Sequence, residues 1–374
     1  MVVMKVFLGL FLFLISGYGW CEDDVTNLPP IENISIASSE NRAVAGESAA
    51  GETNEVVAVP TSPFIKIKLG EAEFSGLLNV LYSHDPQALD TFAIKRAELQ
   101  IKGSLNPSTE YTIMIDPAKK LDANGDNKIL QELRLGLKGA LWGYPLKLTL
   151  GQVKIPVTLE GLQSSSALET IDRATIVRNT GDKRDQGVLV DGAINPAHLK
   201  YTLGVFNGEG PNVNDKNDHK DVAGRLVWEV PYVQGLNLGA SLYEGKQGAK
   251  NVDKDRQGVE LRYVHNVYLV KAEYLEGTND KIDSNGWYGL VSYELDALDQ
   301  IWSTSFFNKS QAVVRYETYD ANVDDRASMD TLTVGLNHAL QGNNSKLQVN
   351  YLRMDGRGGL ADGEGLSVFY QIKF

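Results

Sequence analysis

The chain has almost no cysteine: of 374 residues only Cys21 is one. No disulfide framework can hold the fold together, and stability has to come from another source. Long apolar runs are also missing. Beyond the first twenty residues nothing approaches the ~20 consecutive apolar residues that a membrane-crossing helix needs, and mean hydropathy is −0.22. Basic residues are outnumbered, 36 Lys+Arg against 48 Asp+Glu for a net charge of −12, which argues against nucleic acid as a partner. The five histidines, His84, His198, His219, His265 and His338, are too scattered to define a metal site. There is no nucleophile elbow and no metalloprotease helix, so neither an enzyme nor a cofactor is expected.

What is present is alternation. In the last strand Leu366, Val368, Tyr370, Ile372 and Phe374 put an apolar or aromatic group at every second position, while Ser367, Gln371 and Lys373 fall between them. Phe369 is the exception on the polar side. A strand with one face in lipid and one in a wet lumen needs this period of two, and the alternation cancels in any hydropathy average. A terminal aromatic on the lipid-facing register also resembles the insertion signal of Gram-negative outer-membrane proteins. The 36 glycines and 16 tyrosines suit tight turns and interfacial aromatics.

Three regions are expected. Residues 1–21 read as a secretory signal peptide: Lys5, an apolar run from Val6 to Ile15, then small and aromatic residues up to Cys21. Cleavage there removes the lone cysteine. Lipidation of Cys21 is the alternative, from which Trp20 and Tyr18 depart. Residues 22–61 are polar, carry Pro29-Pro30, show no sustained period and read as a flexible periplasmic linker. Residues 62–374 form the barrel domain.

Within that domain short alternating segments are separated by gaps that are alternately short and long. Asn106-Pro107-Ser108, Trp142-Gly143-Tyr144-Pro145, Asn195-Pro196 and His265-Asn266 make tight turns, and polar loops lie between them. The pattern predicts an all-β fold, a transmembrane antiparallel β-barrel of about 16 strands with turns on the periplasmic side and loops outside. The segment from Ala297 to Ser310, with Trp302, Phe306 and Phe307, is long for a periplasmic connection. Two motifs are set aside: Asp122-Ala-Asn124-Gly-Asp126 places its glycine too early for a calcium loop, and Gly356-Arg-Gly358-Gly-Leu-Ala361 joins two strands without a βαβ unit.

The stretch from Phe92 to Leu105 followed by Tyr111 to Asp116, then Gly151-Gln-Val-Lys-Ile-Pro156 with Leu168-Glu-Thr-Ile-Asp-Arg173, Leu203 to Gly208 and Val313 to Glu317, resembles in order blocks of the phosphate-selective porin O and P family. The resemblance covers roughly Phe64 to Phe374. It implies a homotrimer of sixteen-stranded barrels in outer-membrane lipid, with an inward-folding constriction loop and passive conduction of small anions, phosphate among them. Where that family carries a further basic residue, this chain reads Lys95-Arg96-Ala97-Glu98.

Turning the apolar face of each strand outward assigns Arg96, Glu98, Glu132, Arg134, Lys138, Lys147, Arg225, Glu229, Glu260, Arg262, Lys271, Glu273, Arg315, Glu317 and Lys346 to the lumen. Acids and bases recur two residues apart, as in Arg96 with Glu98 and Arg315 with Glu317. Such pairs give either a transverse field that orients polar solutes or wall ion pairs that stiffen the barrel. The longest gap, Pro156 to Arg184, is the expected constriction loop, with Ser166–Glu169 as a capping box and Glu169, Asp172 or Arg173 set against Arg134 and Arg225. The expected solutes are small anionic or polar molecules. A weakly selective general porin, a non-conducting barrel that acts as scaffold or adhesin, and a soluble lectin-like β-protein are the rival readings.

Overall fold

The computed structural model describes residues 72–86, 89–119, 128–181, 183–296, 298 and 308–374. The expected leader 1–21, the linker 22–61, the first residues of the barrel region, the Asp122–Asp126 motif and the aromatics Trp302, Phe306 and Phe307 lie outside the described residues. Among the described residues no helix is long and apolar enough to cross a membrane.

The elements are β1 (Ala72–His84), β2 (Thr91–Asn106), β3 (Thr109–Ile115), β4 (Leu130–Leu141), β5 (Tyr144–Lys154), β6 (Arg184–Ile194), β7 (Leu199–Phe206), β8 (Asp221–Glu229), β9 (Leu236–Glu244), β10 (Lys246–Gln247), β11 (Val252–His265), β12 (Tyr268–Asn279), β13 (Ile282–Glu294), β14 (Ser310–Asp320), β15 (Ser328–Ala339), β16 (Ser345–Gly356) and β17 (Gly363–Lys373). The two-residue β10 pairs only with β11. The other sixteen form one antiparallel wall, β9 pairing directly with β11. β17 closes on β1 in register from Leu77↔Lys373 to His84↔Leu366, which leaves no sheet edge exposed.

Period-two chemistry decides which face is which. On β12, Lys271, Glu273 and Leu275 are buried inside while Tyr268 and Tyr274 stand exposed outside. Val291, Val314, Tyr316, Val334 and Leu336 extend the same outer apolar belt on neighbouring strands. The tight turns use left-handed backbone at Gly143 (φ 82°) and Asn266 (φ 50°), and also at Trp142 (φ 50°) and His198 (φ 52°).

Apolar cores lie inside the barrel, between the wall and residues 155–183. Val153, Ile155 and Val157 pack with Leu189, Phe206, Ala223 and Tyr243 at the root of that segment. Further along, Ala174, Ile176 and Val177 pack on the inward-facing Leu275, Tyr288, Leu290 and Val313. Burying each such side chain is worth roughly 1.5–3 kcal/mol, so this contact holds the segment in the lumen.

Candidate functional site

Residues 155–183, the inner segment, leave the end of β5 and run along the inside of the wall. Thr158 caps a four-residue helix, Leu159–Leu162, its hydroxyl oxygen accepting from Gly161 N at 2.7 Å. A 3₁₀ turn follows at Ser165–Ala167. The capping box expected at Ser166–Glu169 does not form. The turn is capped two residues earlier, at Ser164, without a side-chain cap bond, and Glu169 is drawn away to Lys271 Nζ, 2.5 Å from its Oε2.

So irregular a chain leaves many backbone groups without partners, and buried ones have to find them. The wall supplies most of them. Lys346 Nζ donates to Leu168 O at 2.8 Å and Asn337 Nδ2 to Glu169 O at 2.8 Å. Gln371 Nε2 donates to Ser166 O at 3.0 Å, and Glu273 accepts from Glu160 N at 2.6 Å. Arg315, 2% exposed, donates to Thr170 Oγ1 at 2.8 Å and Asp172 O at 2.7 Å. On the other flank Lys95 Nζ meets Asp172 Oδ1 at 2.5 Å.

The segment thus leans on β12 through β17, with its apolar root on β5 to β9 and one contact to β2 at Lys95, and an open passage remains beside β1 to β8 and the end of β17. A cavity of about 490 Å³ lies there. Its wall carries Arg134, Lys154, Arg184, Arg225 and Lys373 against Glu98, Glu132 and Asp191, and the inner segment contributes Pro156, Leu162 and Ser164 to Ser166. Glu132 is shared, 3.4 Å from Arg134 and 3.5 Å from Arg184. Glu98 lies 3.4 Å from Arg96, and Arg225 grips Glu260 with two nitrogens, Nε at 2.9 Å. Arg134 stands in register with Thr112 on one side and with Gly151 on the other, and Gly151 with Gly187, so towards β5 and β6 its register positions carry no side chains. Towards the long loops a second cavity of about 280 Å³ is lined by Lys183, Arg184, Lys254 and Arg256 with Glu209. A third, about 290 Å³, reaches from Glu169 and Lys346 towards the short turns at Gly342 and Asn343.

The residues singled out in the sequence therefore separate into groups. Glu98, Arg134 and Arg225 line the open passage, and Arg96 stands beside Glu98. Lys138 sits near the short turns, where it and Lys147 hold Glu110 at 2.7 and 3.1 Å. Arg262 is close to the His265 turn, in register with Lys271 and Asn237. Arg315 and Glu169 are buried under the inner segment. Arg173 is buried as well, donating to Glu160 O at 2.8 Å and Gln163 O at 2.7 Å. The expected meeting of Glu169, Asp172 and Arg173 with Arg134 and Arg225 is not formed. Ala174, Ile176 and Val177 commit this part of the segment to the far wall, where Lys271 takes Glu169, while Lys95 on the opposite flank takes Asp172.

Three basic groups escaped the sequence reading. Lys95 occupies a β-bulge, since Asn79 pairs with Arg96 and Val80 with Ile94. The extra residue lets consecutive Lys95 and Arg96 both make lumen-side contacts. The signal is in the sequence: Phe92 and Ile94 face out, then Ala97, Leu99 and Ile101 do, a phase slip of one. Lys154 and Arg184 stand at strand ends, where alternation no longer constrains direction.

With this geometry in hand, relatives can be compared. The sequence profile described as phosphate-selective porin O and P matches residues 76–254. Among curated proteins no sequence matches the chain. Similar solved structures include an anion-selective porin from Comamonas acidovorans, 13% identical, covering 81% of this chain and 99% of its own, with a TM-score of 0.58. The trimer form of OmpT from Vibrio cholerae is 11% identical over 82% of this chain and 100% of its own, at 0.56. The outer-membrane channel DcaP of Acinetobacter baumannii is 13% identical over 81% of this chain and 97% of its own, at 0.55. At such identities these structures speak to fold alone, and the fold is that of an outer-membrane channel. Residues 76–254 match the phosphate-selective porin O and P family, and the chain forms a sixteen-stranded antiparallel barrel of the kind found in porins of the bacterial outer membrane.

Proposed function

We propose that this porin passes small polar solutes by passive diffusion with a preference for anions, and that it works as a homotrimer. The observation that carries the anion preference is the lining of the open passage. Five basic side chains, Arg134, Lys154, Arg184, Arg225 and Lys373, stand there with three acidic ones, Glu98, Glu132 and Asp191. The inner segment borders the same cavity through Pro156, Leu162 and Ser164 to Ser166, and charge at the narrowest point of a pore governs which ions pass. The trimer form of the OmpT barrel supports the assembly.

A planar-bilayer measurement on the purified protein under a potassium chloride gradient tests the reading, with phosphate added afterwards. A reversal potential on the anion side supports it, and block of the chloride current by phosphate would extend it to phosphate selectivity. The second reading, a weakly selective general porin, is favoured by Glu98 beside Arg96 and by the chain's net charge of −12. A reversal potential near zero or on the cation side selects it, and absence of conductance selects a scaffold.

A further inference from the structure

Porin lumens are lined by polar groups, yet Leu77 of β1 and Met114 of β3 line this passage. Leu162 joins them from the inner segment. None of the three belongs to the apolar clusters that hold the segment against the wall, and Leu77 and Met114 keep only 6% and 7% of their surface exposed. They are interleaved with charge: Leu77 stands in register with Glu98 on one side and Lys373 on the other, and Met114 with Gln100 and Glu132. The serines Ser164 to Ser166 and the guanidinium groups of Arg134 and Arg184 line the same space.

We propose that the passage favours organic carboxylates with a compact apolar body over inorganic phosphate, an inference that rests on the anion preference proposed above. A phosphate ion is hydrated on every side, and wherever it leaves that shell it needs donors around it. Leu77, Met114 and Leu162 offer none. A carboxylate on a small ring or branched chain needs donors at one end only, where Arg134 and Arg184 present planar forks. Its body gains from leaving water against the three apolar groups, and the flexible thioether of Met114 adapts to ring edges. The volume of about 490 Å³ falls in the range of about 300–1,000 Å³ common for small-molecule sites.

The test uses the full-length channel in a planar bilayer carrying chloride current, with benzoate or inorganic phosphate titrated in. Benzoate is expected to interrupt the current at concentrations at least about tenfold below those at which phosphate does. Met114→Ser and Leu162→Ser are each expected to raise the half-blocking benzoate concentration by about threefold to tenfold, the loss of a few buried methylene contacts. Met114→Leu should keep the block. Equal block by phosphate, or benzoate block indifferent to both serine variants, overturns the proposal. The potassium chloride reversal potential of the same channels separates this outcome from failure of the anion reading, because a cation-selective channel would fail there first.

Discussion

Lys95 Nζ meets Asp172 Oδ1 at 2.5 Å, tying the wall to the inner segment across 77 positions of sequence. Lys95 is mostly buried while Asp172 is half-exposed, so the pair is reached by lumen water and contributes about 1 kcal/mol or less. Asp172→Asn is expected to leave assembly intact, to increase current noise as the segment loosens, and to raise anion preference by freeing the ammonium. A variant with the noise and selectivity of the wild type would show that the pair does not restrain the segment.

The same pair sets a pH limit. Burial opposes ionisation of Asp172, but the Lys95 ammonium outweighs it and holds the carboxyl below the usual aspartate range. A carboxyl lowered in this way stabilises the docked state at every pH above the free aspartate range, and the contribution is lost as pH falls through the lowered value. Wild-type current should therefore stay quiet through neutral and mildly acidic pH and become noisy only in strong acid. Noise that instead rises between pH 6 and 8 would assign the effect to another group.

Arg134 and Arg184 share Glu132, so their substitutions should not add. Either Arg134→Gln or Arg184→Gln leaves the carboxylate with one guanidinium and is expected to lower the anion-to-cation permeability ratio modestly. The double variant exposes Glu132 uncompensated and should lower the ratio by more than the product of the single effects. Strict multiplicativity in reversal-potential data would argue against a shared carboxylate.

Arg315 Nε lies 3.0 Å from Glu317, with Glu160 at 3.9 Å from Nη1, all buried beneath the inner segment. Arg315→Met strands two carboxylates there and should cost roughly 3–5 kcal/mol, less whatever protonation recovers. A lower temperature of the gel-mobility shift between folded and unfolded barrel, together with larger unit conductance, is the expected result. A variant as heat-resistant as the wild type would remove Arg315 from the anchoring set.

Gly151 has φ 123°, and a Cβ on it would sit 2.0 Å from Leu133 O. Gly151→Ala should cost roughly 1–3 kcal/mol in backbone strain before any clash is relieved, visible as a lower urea midpoint of the refolded barrel in lipid. An unchanged midpoint would show that the wall can flatten at this position.

The barrel was legible because period-two alternation and turn chemistry are local, and Leu366 to Phe374 or His265-Asn266 can be read without their neighbours. The site was less so. Period two puts Arg315 on the inner face, but nothing near it in sequence says that Thr170 and Asp172 would cover it, a contact that depends on Ala174, Ile176 and Val177 finding Leu275 and Tyr288. Lys95 is hidden because a single phase carried along β2 runs through the bulge that shifts it. Lys154 and Arg184 stand where alternation stops and direction is set by what the inner segment offers.

Because the inner segment rests on only part of the circumference, the ring of strands carries two separable tasks. Side chains from β12 to β17 act as a bearing surface, where substitution is felt as lost stability. Charged side chains on β2 to β8, such as Glu98, Arg134 and Arg225, border the open water, where substitution is felt as altered permeation. Solute preference can therefore drift on one arc without loosening the support that keeps the aperture narrow.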